Sequence, residues 1–114
     1  MKSKSLSDFY LKHIQKVRYC ENCGCRIYNP GVRNIAHIIP KSKFKSVADN
    51  DDNIMYLCTK LDGCVGCHEK YDKSWTSAQS MKIWDTAVQR FQKFKGDIKE
   101  KSKILLLFEL FNSP

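Results

Sequence analysis

Two groups of residues in this chain carry chemistry by type and spacing. The first is a set of paired cysteines. Cys20-Glu21-Asn22-Cys23 and Cys64-Val65-Gly66-Cys67 are both C-x-x-C pairs. A tight turn inside such a pair lets both sulfurs face one ion, and two pairs close a tetrahedral four-thiolate zinc site of the structural kind. Gly24 after the first pair and Gly66 inside the second suit turns of this type. The chain has 6 cysteines, so two are surplus to four ligands. Pair spacing selects Cys64. Cys58, which ends the run Ile54-Met55-Tyr56-Leu57, competes with it as the partner of Cys67. Cys25 reads as a bystander. Structural zinc contributes about 10–16 kcal/mol of apparent binding free energy in small peptides, comparable to a domain's whole net stability. The spacing therefore predicts a folding determinant with every coordination position filled.

The second group is a histidine–asparagine–histidine series set between and beside the cysteines. Its strings are Ala36-His37-Ile38-Ile39-Pro40, then Asp52-Asn53-Ile54-Met55-Tyr56-Leu57-Cys58, then Cys67-His68-Glu69-Lys70-Tyr71-Asp72. A neutral imidazole is a base near physiological pH. His37 stands just before Lys41, Lys43 and Lys45, a basic loop suited to phosphate contacts. His68 and Asp72 have i, i+4 spacing and share a helix face. An imidazole and a carboxylate there can hold one Mg²⁺, Mn²⁺ or Zn²⁺ with positions left open. The amide of Asn53 can lock the His37 loop or touch that ion. A base, a cation and a basic loop are the requirements of phosphodiester hydrolysis. The bland readings are a buried structural histidine at His37, a zinc-ligating His68 beside Cys67, and an Asp72 that faces the helix N-terminal dipole.

These strings, in this order and flanked by cysteine pairs, resemble the HNH endonuclease family. Its pattern is a His-Ile-x-Pro strand, an Asn-Leu/Ile-x-x-Leu-Cys segment and a Cys-His-x-x-x-His/Asp helix start. The resemblance covers roughly Tyr19 to Asp72 and looks most like small phage and bacterial members. It implies metal-dependent cleavage of DNA, as nicks or double-strand breaks. It further implies His37 as the base, Asn53 as the positioning residue, and His68 with Asp72 on a catalytic divalent ion. It favours Cys20, Cys23, Cys58 and Cys67 for the structural zinc, with Cys58 in place of Cys64. The chain departs from the family pattern at Ala36, where many members carry a metal-binding His or Asp, and at Asp72, where His is frequent. Asp52, beside Asn53, is a candidate substitute ligand.

The elements that must position these residues follow from periodicity. Residues 6–17 predict an amphipathic helix on Phe9, Ile14 and Val17, with Ser7 as its N-cap and His13 as a surface or packing residue. Short β-type runs at Asn34–Ile39 and Ile54–Leu57 predict two strands. From Thr76, with Gln79 at capping-box spacing, Met81, Trp84, Val88 and Phe91 predict a helix that Gly96 ends. Lys99 to Phe111 predicts a last helix that packs its Leu/Phe face on the domain or on a second copy. The expected fold is α+β: a single domain over 1–114, with a ββα-metal core at about 19–75, a zinc site of paired cysteines, and flanking helices.

The 114 residues carry a formal net charge of +8, from 20 Lys+Arg against 12 Asp+Glu, which suits a polyanionic partner such as DNA. No stretch approaches the ~20 apolar residues of a membrane span, and the charged start does not read as a secretory signal. The expectation is a cytoplasmic protein of a bacterial host, phage-encoded in one version, with reduced cysteines. Its oligomeric state is either monomer or homodimer through the C-terminal helix. The alternative to an enzyme is a catalytically weak, zinc-stapled nucleic-acid-binding module. A zinc-stapled protein adaptor would leave the His-Ile-Ile-Pro and Asp-Asn strings without a purpose.

Overall fold

Phe9, His13 and Val17 recur every four residues and are all buried, so the first helix faces the core along one stripe. A computed structural model describes residues 5–111; 1–4 and 112–114 lie outside the described residues. Helix α1 runs Ser5–Ile14, and Val17 follows it in a turn. Ser7 therefore lies inside the helix and is not its cap. His13 packs as a buried residue. It lies 2.7 Å from both the Tyr56 hydroxyl and Asp51 Oδ1, so it ties α1 to the second strand and the turn before it.

The strands are β1, Ile35–His37, and β2, Ile54–Tyr56. They pair antiparallel, with Ile35 opposite Tyr56, Ala36 opposite Met55 and His37 opposite Ile54. Helices α2 (Cys67–Lys73), α3 (Trp75–Gln79), α4 (Trp84–Phe94) and α5 (Ile104–Phe111) complete the order. The architecture is α+β, with helices around one small two-stranded sheet among the described residues. No helix of the described residues is long and apolar enough to cross a membrane.

The helix expected from Thr76 to Gly96 is broken in two. The Ile83 N–H would bond the Gln79 carbonyl in a continuous helix. It instead donates to Asn22 Oδ1 at 2.8 Å, from the loop between the first two cysteines. A tertiary contact thus overrides local helical preference. The cap of α3 is Ser74, whose hydroxyl accepts from the Ser77 N–H, and not Thr76. Beyond the break, Trp84, Ala87, Phe91 and Phe94 face inward on α4. Phe111 of α5 lies 4.6 Å from the rings of both Phe91 and Trp84. Each such ring contributes roughly 1.5–3 kcal/mol by burial. The last helix starts at Ile104, later than the expected Lys99. It buries Ile104, Leu107 and Phe111 and leaves Leu105 and Leu106 exposed.

Candidate active site and cysteine cluster

The sulfurs of Cys20, Cys23, Cys58 and Cys67 lie within 4.8 Å of one another, so four cysteines gather where a metal ion such as zinc can bind. Tetrahedral thiolates at about 2.3 Å from zinc stand about 3.8 Å apart, and Cys23 Sγ lies 3.7 Å from Cys58 Sγ. N–H groups already face the sulfurs. Asn22 Nδ2 donates to Cys67 Sγ at 3.2 Å, and the Cys67 N–H donates to Cys58 Sγ at 3.4 Å. Burial opposes ionisation of Cys20, but the N–H groups of Cys23, Cys58 and Asn22 outweigh it and lower its pKa. Burial instead raises Cys58 and Cys67. A cation at the centre would relieve that cost, so the donor set fits a metal. Gly24, at φ 81°, turns the chain after the first pair.

Cys58, not Cys64, completes the cluster. Cys64 is bonded to Cys25 in a disulfide, with Cα atoms 6.4 Å apart. This corrects two expectations, that Cys25 is a bystander and that disulfides are absent. The turn at Gly24 sends Cys25 away from the cluster and across to the loop of Cys64, 39 residues on. Gly66, at φ 84°, then starts α2 where a Cβ would lie 2.8 Å from Glu69 Oε1 and 2.9 Å from Lys60 Cγ.

On the other side of α2 a cleft of about 570 Å³ is lined by His37, His68, Asp72, Lys41, Tyr10 and Trp75 among others. His37 ends β1, and its Nε2 donates to the Ala48 carbonyl at 2.8 Å. A carbonyl only accepts, so the proton of the neutral ring sits on Nε2 and the free lone pair is on Nδ1. Nδ1 makes no hydrogen bond to a described residue. Burial lowers the pKa of His37 against the opposing Ala48 carbonyl, and Lys41 lowers it further, so the ring is neutral at pH 7.

Asn53 holds that ring's loop. Its Oδ1 accepts from the Ile39 N–H at 2.9 Å and its Nδ2 donates to the Val47 carbonyl at 3.1 Å. The side chain spans both ends of the 39–47 loop and is fully buried, outside the cleft. Of the two roles open to Asn53, locking the loop is the one its contacts match; touching a metal in the cleft is not. Tyr71, buried on α2, donates to the Ile38 carbonyl at 2.8 Å and joins the helix to the same strand end.

His68 presents the opposite tautomer. Its Nδ1 donates to the Arg33 carbonyl at 2.6 Å, which leaves the Nε2 lone pair 3.1 Å from Asp72 Oδ2. Two acceptors facing each other need a cation between them, a proton or a metal ion. Burial opposes the proton on His68, but Asp72 and the Arg33 carbonyl outweigh it and raise its pKa. A ligating histidine held by a carbonyl on its other nitrogen is the usual arrangement around metals, so the pair fits a divalent ion. Among the described residues no third His, Cys, Asp or Glu joins it. Ala36 is buried in β1, and Asp52 does not line the cleft, so Asp52 is no substitute ligand. Of the three lysines, only Lys41 reaches the cleft, where Nζ donates to the Tyr10 hydroxyl at 2.6 Å; Lys43 and Lys45 are exposed outside it.

Sequence reasoning missed the groups that set these tautomers. The Ala48 and Arg33 carbonyls have no side-chain signature. Asp62 had one, because Thr59-x-x-Asp62 has capping spacing. Its buried carboxylate accepts from Arg33 Nη2 at 2.6 Å, Asn34 Nδ2 at 2.8 Å and the Thr59 N–H at 2.8 Å, and so holds the segment whose carbonyl orients His68. Burial works against this charge, but the donors hold Asp62 below the usual carboxylate range. The chain matches no model of a known protein family, no curated protein and no solved structure with which it was compared.

Proposed function

We propose that the chain is a metal-dependent endonuclease of the HNH type, hydrolysing DNA phosphodiester bonds over a ββα-metal core. The observation that carries this reading is the pairing of two histidines of opposite tautomer on one cleft, with Nδ1 of His37 free and Nε2 of His68 against Asp72. His37 is the general base and takes a proton from water at Nδ1, since its Nε2–H is spent on Ala48. Asn53 acts through the backbone, as the residue that keeps the His37 loop in place. His68 Nε2 and Asp72 would hold Mg²⁺, Mn²⁺ or Zn²⁺. An ion there would supply positive charge to a phosphate oxygen and to the leaving oxygen. Lys41 adds charge at the rim. The four-cysteine cluster serves as a structural zinc site, with all positions taken by thiolates.

The second reading, a nucleic-acid-binding module with little activity, is favoured by the missing third ligand at Ala36. One experiment separates the two. Purified protein is incubated with supercoiled plasmid, with and without Mg²⁺ or Mn²⁺, beside His37→Ala. Nicked or linear product that needs the ion and His37 supports the enzyme. Retained DNA without product under every ion supports the module.

A further inference from the structure

We infer that the exposed row Tyr19–Arg26–Tyr28 is a stacking surface for unpaired nucleotides of a single DNA strand leaving the cleft. Tyr19 and Arg26 face each other across the cysteine-knuckle hairpin as an antiparallel bridge. Arg26 and Tyr28 have i, i+2 spacing and so share one face, while Ile27 between them is buried on the other. The Arg26 guanidinium lies 5.5 Å from the Tyr19 ring centroid and 5.0 Å from that of Tyr28. Both rings are open to solvent, Tyr19 at 55% and Tyr28 at 78% exposure. Among the described residues no carboxylate pairs with Arg26. Large aromatic faces left in water beside an unneutralised guanidinium fit a partner that brings flat rings and negative charge together.

An unpaired nucleotide is that partner. Its base stacks on tyrosine, and its phosphate meets arginine. Duplex DNA hides its base faces and offers the row only phosphates. The formal net charge of +8 suits a polyanionic partner. The row also leads to the site already described. Tyr28 is followed by Asn29, whose carbonyl accepts from Arg33 Nη2 at 2.9 Å, and Arg33 lines the cleft. The five steps along the chain from Tyr28 to Arg33 span at most about 18 Å. The inference rests on the nuclease reading of the cleft and names its substrate as DNA with a single-stranded segment.

The test is fluorescence anisotropy on the full chain without added divalent ion. The probes are labelled dT20 and a 20-base-pair duplex of random sequence. Tyr19→Ala/Tyr28→Ala should weaken dT20 binding at least about tenfold and change duplex binding less than about twofold, while Tyr28→Phe should bind dT20 as wild type does. Tyr28→Ala alone carries the test if the double variant loses its metal content or circular dichroism. Unchanged dT20 affinity, an equal loss on duplex, or a wild-type protein with no affinity for dT20 would each overturn the inference. Plasmid cleavage by wild type is scored separately. Cleavage with an unaffected row variant removes only the stacking surface. A stacking effect without any cleavage removes only the nuclease reading.

Discussion

Cys67 and His68 are neighbours in the chain, yet they belong to sites of opposite character. The Cys67 sulfur joins a cluster of four like ligands, three of them buried and Cys23 exposed. The His68 imidazole, about 100° further round the helix, faces a cleft where it meets one carboxylate and open space. The start of α2 divides the two. A closed set of thiolates suits holding the chain together, whereas an incomplete set leaves room for a reactant. On the proposed reading one side of the helix serves stability and the other chemistry, and substitutions can break that contrast from either side.

The largest effect is expected in the cluster. The intact protein should carry about one tightly bound zinc per chain, and Cys58→Ser should lose it together with the cooperative fold. Cys64→Ser should keep the ion, because Cys64 is tied to Cys25. It should instead lower the melting temperature under non-reducing conditions, since a bridge across 39 residues is worth up to about 4 kcal/mol in the chain-entropy model. Elemental analysis with thermal melts decides between the two cysteines. Equal zinc loss in both variants would dissolve the division described above.

Next is the cleft. His37→Ala should lower plasmid cleavage by about 10²–10⁴-fold with zinc content and fold intact. His68→Ala should also abolish cleavage but respond to excess Mn²⁺, which His37→Ala should not. A His37→Ala protein that cuts at the wild-type rate would remove this residue from the chemistry. Asn53→Ala should be costly in both stability and cleavage, because it leaves the Ile39 N–H buried without a partner and the Val47 carbonyl with the Asn50 N–H alone. An orphaned buried donor costs about 1–3 kcal/mol, and a urea titration measures the loss.

The pH dependence sharpens the same contrast. His37 has its pKa lowered in the fold, so cleavage should fall only on acidification below the ordinary histidine value of 6.5. The unfolded chain binds the proton first as pH drops, so His37 stability is present above about 6.5 and lost as pH falls through the lowered value. His68 has the opposite sign when no divalent ion lies between it and Asp72. Its raised pKa adds stability that is full below about 6.5 and lost as pH rises through the raised value. Denaturant midpoints of His37→Gln and His68→Gln against pH should therefore slope apart; parallel curves would contradict the opposite pKa shifts of the two histidines. The smallest effect belongs to the basic loop. Charge reversal at Lys41, Lys43 and Lys45 should flatten the salt dependence of DNA binding by about 0.9 in log–log slope for each phosphate no longer neutralised. With only Lys41 at the cleft, Lys41→Glu alone should account for most of any change in cleavage.

Several features were legible from residue types and local spacing. They are the Cys20/Cys23 pair, the two strands with His37 at the end of the first, the helix that opens with Cys67-His68, and the apolar stripe of α4. Each depends on residues within a few positions of one another, and a turn or a helical repeat expresses such patterns without help from the rest of the chain. Pair spacing favoured Cys64 and the resemblance Cys58, and the fold brings Cys58 to the cluster. Tertiary structure alone decided that Cys25 reaches Cys64, and that Asn22 breaks a helix 61 residues away by taking the Ile83 N–H. It also decided the two tautomers, through the carbonyls of Ala48 and Arg33. Every residue carries the same backbone carbonyl, so no spacing in the sequence distinguishes these two; only the path of the folded chain brings them to the imidazoles.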